Sequence, residues 1–221
     1  MNRHGEKVAG IVLAAGASTR MGRIKQLLPV GDETLIERVL IEILKAGLDQ
    51  VVLVLGHQAR EIQAAIMPLF TQPELRVIEN RQYRQGISSS IAAGISEVEH
   101  THDHVIIFLA DMPCIQTDLI HLLLGRYLTS GMRIGAVKGK GRPAHPVIFS
   151  RELYPELKHL KGDVGARSLF HKHSGSVCLI EPDENYDSLD IDTPEDYAAF
   201  QMSLRHKRRV KRESDAYQRP D

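Results

Sequence analysis

VAGIVLAAGASTRMGRIKQLLP, residues 8–29, joins a continuous apolar run to a glycine-containing loop that carries fixed positive charge. Residues 8–14 show no polar alternation, the pattern of a strand buried on both faces. The small residues at 14–18 let backbone N–H groups approach an anion closely. Arg20 and Lys25 then add cationic groups suited to phosphate oxygens. Two familiar phosphate loops are excluded. The glycine spacing is not G-x-G-x-x-G, and Arg23 follows Gly22 where a Walker A loop needs Lys-Ser/Thr.

Downstream, strand-like and helix-like patterns alternate. Leu35, Ile36, Val39, Leu40, Ile43 and Leu44 recur at helical spacing, with Asp32 read as the cap and Gly47 as the end. Buried-strand runs follow at 51–55, 75–78 and 105–109, separated by helical stretches at 59–66 and 88–98 and followed by another at 117–127. Hydroxyl residues open the 88–98 helix and suit its capping. This alternation predicts an α/β fold, a mostly parallel sheet covered on both faces. From about 134 to 180 the pattern changes. Short strands at 134–137, 146–149 and 177–180 surround a glycine- and base-rich turn at 138–142 and a helical stretch at 164–171. That region reads as an acceptor-site subregion of one domain, residues 1–204. Thr193 and Pro194 open a last helix, Pro194 at its first position. Residues 205–221 are polar and basic, with little to bury, and read as a solvated, disordered tail rather than a nucleic-acid arm.

Composition sets the class. The chain has 221 residues, 43% of them hydrophobic and 25% charged, the balance of an ordinary globular protein. Lys+Arg and Asp+Glu are both 28, so no charge imbalance points to nucleic acid or an anionic membrane. No apolar run approaches the roughly 18 residues of a membrane helix. Two cysteines, Cys114 and Cys178, are too few for a disulfide framework, and no signal-peptide pattern opens the chain. A cytoplasmic location is the expectation.

Five further motifs carry chemistry. Leu109-Ala110-Asp111-Met112-Pro113 places an acid just beyond a buried strand, where open α/β sheets bind ligands. Such a carboxylate suits Mg²⁺; capping of the next helix is the lesser alternative. Asp190-Ile191-Asp192-Thr193-Pro194-Glu195-Asp196 offers Asp192 as a second Mg²⁺ ligand, with Asp190 the weaker candidate. Glu195 and Asp196 read as helix-start acids facing the dipole. Gly86 to Gly94, with Ser88, Ser89 and Ser90, is a serine-rich helix start, and Asn80 precedes it. Finally, His145 lies in Gly141-Arg142-Pro143-Ala144-His145-Pro146. Gly162, Asp163 and Arg167 lie in Gly162-Asp163-Val164-Gly165-Ala166-Arg167, and a guanidinium there suits a phosphorylated acceptor. His100, His102 and His104 read as an exposed loop rather than a metal site.

The 13–29 string resembles the opening signature of nucleotidyltransferases that activate sugars and cofactor precursors with an NTP. The resemblance implies a Rossmann-like three-layer fold of the nucleotide-diphospho-sugar transferase type. It implies that Ala14, Ala15, Gly16, Arg20 and Lys25 bind the triphosphate, and that Lys25, Arg20 and Asp111 are catalytic. It makes Asp111 and Asp192 the ligands of a Mg²⁺ ion, and Ser88, Ser89, Ser90 and Asn80 contacts to base and ribose. The last two motifs are similar to those of molybdenum cofactor cytidylyltransferases, although Ala144 stands where glycine is usual. That branch implies CTP as donor and makes His145, Gly162, Asp163 and Arg167 acceptor residues. Molybdopterin is then the acceptor, and a molybdenum hydroxylase a possible client. Ala15 matches cytidylyl-transferring relatives, which carry Leu-Ala-Ala-Gly where guanylyl-transferring ones carry Leu-Ala-Gly-Gly. A GTP donor, a sugar or polyol phosphate acceptor, and a non-catalytic cofactor carrier are the alternatives.

Overall fold

Strand β1 (Val8–Ala14) is buried at every position, which requires a strand on each side and helices on both faces. The computed structural model describes residues 5–139, 141–182 and 186–217, with side chains as far as 206. After β1 come a two-stranded hairpin, β2 (Pro29–Val30) and β3 (Glu33–Thr34), and helix α1 (Leu35–Lys45). Then follow β4 (Gln50–Leu55), α2 (Ala59–Ala65), β5 (Leu75–Glu79), α3 (Ile87–Val98), β6 (His104–Leu109) and α4 (Thr117–Ser130). The last third holds β7 (Ile134–Gly139), β8 (Arg142–Ser150), α5 (Tyr154–His159), α6 (Arg167–Lys172), β9 (Val177–Ile180) and α7 (Pro194–Tyr217).

Seven strands form one sheet in the order β5-β4-β1-β6-β8-β7-β9. All run parallel except β8, which pairs antiparallel with β6 and β7. The α/β expectation holds, and the antiparallel strand lies in the subregion where the sequence pattern changes. Pleating sends alternate β1 residues to opposite faces. Val8, Val12 and Ala14 pack with Ile36, Leu40, Phe108 and Leu123, whereas Ala9, Ile11 and Leu13 pack with Ile91, Ile95 and Leu157. A third cluster joins Met21, Leu28 and Val30 to Ile191, Tyr197 and Phe200. It anchors the chain after the first loop to the start of α7.

Several boundaries need correction. The cap of α1 is Thr34, not Asp32: its hydroxyl accepts from Glu37 N–H while the Glu37 carboxylate accepts from Thr34 N–H, a reciprocal pair. The hydroxyls of α3 do not cap it; its N-cap is Gly86. Helix α7 continues past Leu204 to Tyr217, where a disordered tail was expected. Its Lys, Arg, Glu and Ala residues are good helix formers. Residues 218–221 and Lys140, in the basic turn, lie outside the described residues. His102 is buried rather than exposed, and His104 Nδ1 lies 3.1 Å from Tyr127 Oη within the fold. Among the described residues, no helix is long and apolar enough to cross a membrane.

Candidate active site

The order of strands reverses between β1 and β6, and the loops leaving their carboxyl ends diverge there to leave a crevice. From β1 the chain makes the 15–24 loop, with Ser18 in the left-handed region at φ 52°. A 3-10 turn, Lys25–Leu27, then carries Lys25 back under the loop. From β6 it continues through Ala110, whose N–H still donates to Leu13, into Asp111. A third segment arrives from far along the chain. Ile191 N–H donates to the Asp111 carbonyl at 3.0 Å, which sets Asp190 and Asp192 on either side of that anchor.

Lys25 Nζ sits between two carboxylates, 2.5 Å from Asp111 Oδ2 and 2.8 Å from Asp192 Oδ1. Arg20 reaches the other Asp192 oxygen at 2.9 Å from the solvent side. Burial works against the Lys25 charge, but Asp111 and Asp192 outweigh it and hold the ammonium above its ordinary pKa. The hydrogen bond from Lys25 holds Asp192 below the carboxylate range. Asp190 goes the other way. Burial, together with Asp111 and Asp192 nearby, pushes it up to about 6. Asp111 Oδ1 is buried with no hydrogen-bond partner among the described residues. An unpartnered buried carboxylate oxygen is costly alone and suits a hard cation. Among the described residues no group of three or more His, Cys, Asp or Glu side chains could hold a metal alone. Two carboxylates completed by phosphate oxygens and water are the set that Mg²⁺ prefers.

A cleft of about 440 Å³ opens here, lined by Ala15, Gly16, Lys25, Ser90, Asp111 and Asp163 among others. The expected set is only partly assembled in it. Ala14 is buried in β1, and Ala15 packs its methyl over the backbone of Gly56. Of the three serines only Ser90 lines the cleft. Ser88, Ser89, Asn80 and Gly162 line a neighbouring groove of about 860 Å³ on the far side of the 80–89 segment. The Asn80 amide donates to the Ser89 and Ser90 hydroxyls at 2.9 and 3.0 Å, so it orders the first turn of α3. His145 Nδ1 lies 3.2 Å from the Ile107 carbonyl, which can only accept, so that nitrogen carries the proton. Burial keeps the imidazole neutral, and its Nε2 is left as an acceptor. Arg167 is exposed, close enough to His145 to oppose its protonation.

Sequence reasoning missed Gln26, Tyr83 and Arg84. Gln26 is buried: its amide donates to the Ala14 carbonyl at 3.2 Å and its oxygen accepts from Ser18 Oγ at 3.4 Å. It therefore ties the loop to the end of β1. Tyr83 and Arg84 form the cleft wall opposite, the guanidinium 5.7 Å from the ring centre. Asp196, read as a helix-start acid, is the reciprocal partner of the cap Thr193: its carboxylate accepts from the N–H groups of Asp192 and Thr193, and the Thr193 hydroxyl accepts from Asp196 N–H.

Comparison with known proteins bears on this geometry. The model of the MobA-like NTP transferase domain matches residues 10–177. Purine catabolism protein PucB of Bacillus subtilis is 31% identical over 202 residues, 88% of this chain and 96% of its own length. Nicotine blue oxidoreductase of Paenarthrobacter nicotinovorans is 30% identical, over 85% of this chain and 93% of its own. Molybdenum cofactor cytidylyltransferase of Escherichia coli is 26% identical, over 85% and 92%. Among solved structures, Rv0371c from Mycobacterium tuberculosis superposes with a TM-score of 0.76 at 29% identity, covering 88% of this chain and 96% of that one. With the loop after β1, the acid beyond β6 and the sheet order described above, the chain belongs to the MobA-like NTP transferase family of nucleotidyltransferases.

Proposed function

We propose that this protein is a Mg²⁺-dependent cytidylyltransferase that moves CMP from CTP to the phosphate of molybdenum-bound molybdopterin. The products are molybdopterin cytosine dinucleotide and pyrophosphate. The observation that carries the reading is Lys25 held between Asp111 and Asp192 beneath the 15–24 loop. This chain's residues then divide the work. Loop amides at Ala15 and Gly16 receive the triphosphate, and Arg20 and Lys25 neutralise the pyrophosphate as it forms. Ser90 faces the base. His145 and Arg167 meet the acceptor phosphate, whose oxygen attacks the α-phosphorus while the bond to the β-phosphate oxygen breaks. No protein nucleophile is required, because positioning two anions and cancelling their repulsion supplies the acceleration. Asp111 and Asp192 would hold Mg²⁺, which, when bound, offsets charge on the phosphate oxygens.

Support for the molybdopterin acceptor is the Escherichia coli relative named for that reaction, together with the His145 and Asp163 motifs. A carrier without turnover has no use for Lys25, Asp111 and Asp192 in this arrangement. A second reading has one specific observation behind it, the relative named as an oxidoreductase. The absence of a dinucleotide-binding glycine fingerprint after β1 speaks against it. A location in the cytoplasm fits the two free cysteines. A molybdenum hydroxylase is the client this product implies. Pyrophosphate release, measured with each NTP against molybdenum-loaded molybdopterin and a panel of sugar and polyol phosphates, tests the assignment. Release with CTP and the cofactor supports it; release only with a sugar phosphate or only with GTP replaces it.

A further inference from the structure

The 161–167 segment, expected from the sequence to serve the acceptor, makes its closest contacts with the nucleotide half of the molecule. Asp163 Oδ1 accepts from Ile87 N–H at 3.1 Å, and the Gly162 carbonyl accepts from Ser88 N–H at 3.2 Å. These are the first two N–H groups of α3, a helix that no side chain of its own caps. Free amides at a helix start attract a carboxylate through both hydrogen bonding and the dipole. Asp163 is thus the cap of α3, delivered across 76 residues. Gly86 permits the contact. Its φ is +99°, and a methyl there would lie 2.7 Å from Asp163 Oδ1 and nearer still to the Gly162 carbonyl group. The turn so held carries Ser90, which faces the cleft together with Asp163, Lys25 and Asp111.

We infer that Asp163 is a positioning residue for the nucleotide rather than a contact to the acceptor. Its carboxylate fixes the first turn of α3, and so the placement of Ser90. It also fills the positive end of that helix, which leaves the triphosphate to the 15–24 loop above Lys25. The inference rests on the nucleotidyltransferase reading above.

The test is titration of CTP, with MgCl₂ and no acceptor, into the wild type, Asp163→Ala and Asp163→Asn, followed by calorimetry. Thermal unfolding shows that each variant is folded at the assay temperature. Asp163→Ala weakens CTP binding by about tenfold, the factor that roughly 1.4 kcal/mol gives. Asp163→Asn, which caps a helix about as well, stays within about threefold of the wild type. In steady-state assays the alanine variant raises the KM for CTP and leaves kcat and the KM for the acceptor near their wild-type values. Unchanged CTP binding in Asp163→Ala, or a rise confined to the acceptor KM, overturns the inference. A wild-type protein that binds no nucleotide overturns the functional reading itself, a result visible before any variant is compared.

Discussion

The N–H of Ile191 donates to the main-chain carbonyl of Asp111, 3.0 Å away, and this single bond splices the loop before α7 onto the end of β6. It aligns two carboxylates, Asp111 and Asp192, that lie far apart in the chain, and Lys25 closes the arrangement from below. Asp111 lies two residues beyond the end of β6, and the Ala110 N–H bond to the Leu13 carbonyl ties that exit to β1.

Asp111→Ala is therefore expected to lower kcat by about a hundred- to a thousandfold, the range seen when one preorganised charge-stabilising group is removed. The fold survives: Lys25 keeps Asp192, so the loss of stability is about 1–3 kcal/mol. Circular dichroism with steady-state kinetics checks both halves. Near-wild-type turnover by the folded variant removes Asp111 from the reaction.

Lys25→Ala separates the two substrates. Lys25 lies beneath the 15–24 loop, proposed above to receive the triphosphate, so the KM for the nucleotide is expected to rise by about tenfold or more. The acceptor KM holds. A defect confined to the acceptor would move Lys25 to the other side of the cleft.

Gln26→Leu probes the loop's anchor. The substitution keeps most of the volume and leaves the Ala14 carbonyl and the Ser18 hydroxyl without the partner they share. Loss of stability by about 1–3 kcal/mol is expected, read from the urea midpoint. The nucleotide KM rises with it, because the loop is no longer tied to β1.

The α/β architecture and the loop that opens the site are legible in residues 8–29, because a doubly buried strand must be apolar throughout. The long strands and helices follow from periodicity for the same reason. What escaped is short or tertiary. The strands β2 and β3 have two residues each, too few to show alternation. Helix α5 is six residues long with Pro155 near its start. The Thr34–Glu37 capping signature is present in the sequence, two residues beyond the Asp32 expected as the cap. That Asp163 caps α3, and that only Ser90 of three serines reaches the cleft, depends on how distant segments dock. No local pattern encodes that.

Acid should destabilise the protein before its carboxylates titrate. Burial depresses the pKa of His102, His104 and His145, so all three are neutral in the fold. Below about pH 6.5 the unfolded chain binds protons that the folded chain refuses, and stability falls with pH. Asp190, held up at about 6, opposes this because it takes its proton more readily in the fold. Three histidines outweigh one carboxylate. The urea midpoint is expected to drop between pH 7.5 and 6, and His102→Gln to flatten the decline; a midpoint that rises over that range contradicts the assignment.

The central claim is transfer of a cytidylyl group, and following the α-phosphate tests it most directly. CTP or GTP labelled at that phosphorus is incubated with the protein, Mg²⁺ and molybdenum-loaded molybdopterin, and label in the cofactor fraction is measured over time. The account predicts that label moves from CTP to the cofactor, with kcat/KM at least about tenfold above that for GTP, a difference of roughly 1.4 kcal/mol. Ser90, which lines the cleft, and the buried polar groups a wrong base would leave unpaired are expected to supply that discrimination. The same ratio in Ala15→Gly is expected to fall. Equal use of GTP by the wild type contradicts the cytidylyl assignment, and label that stays in the nucleotide with every donor contradicts group transfer to this acceptor.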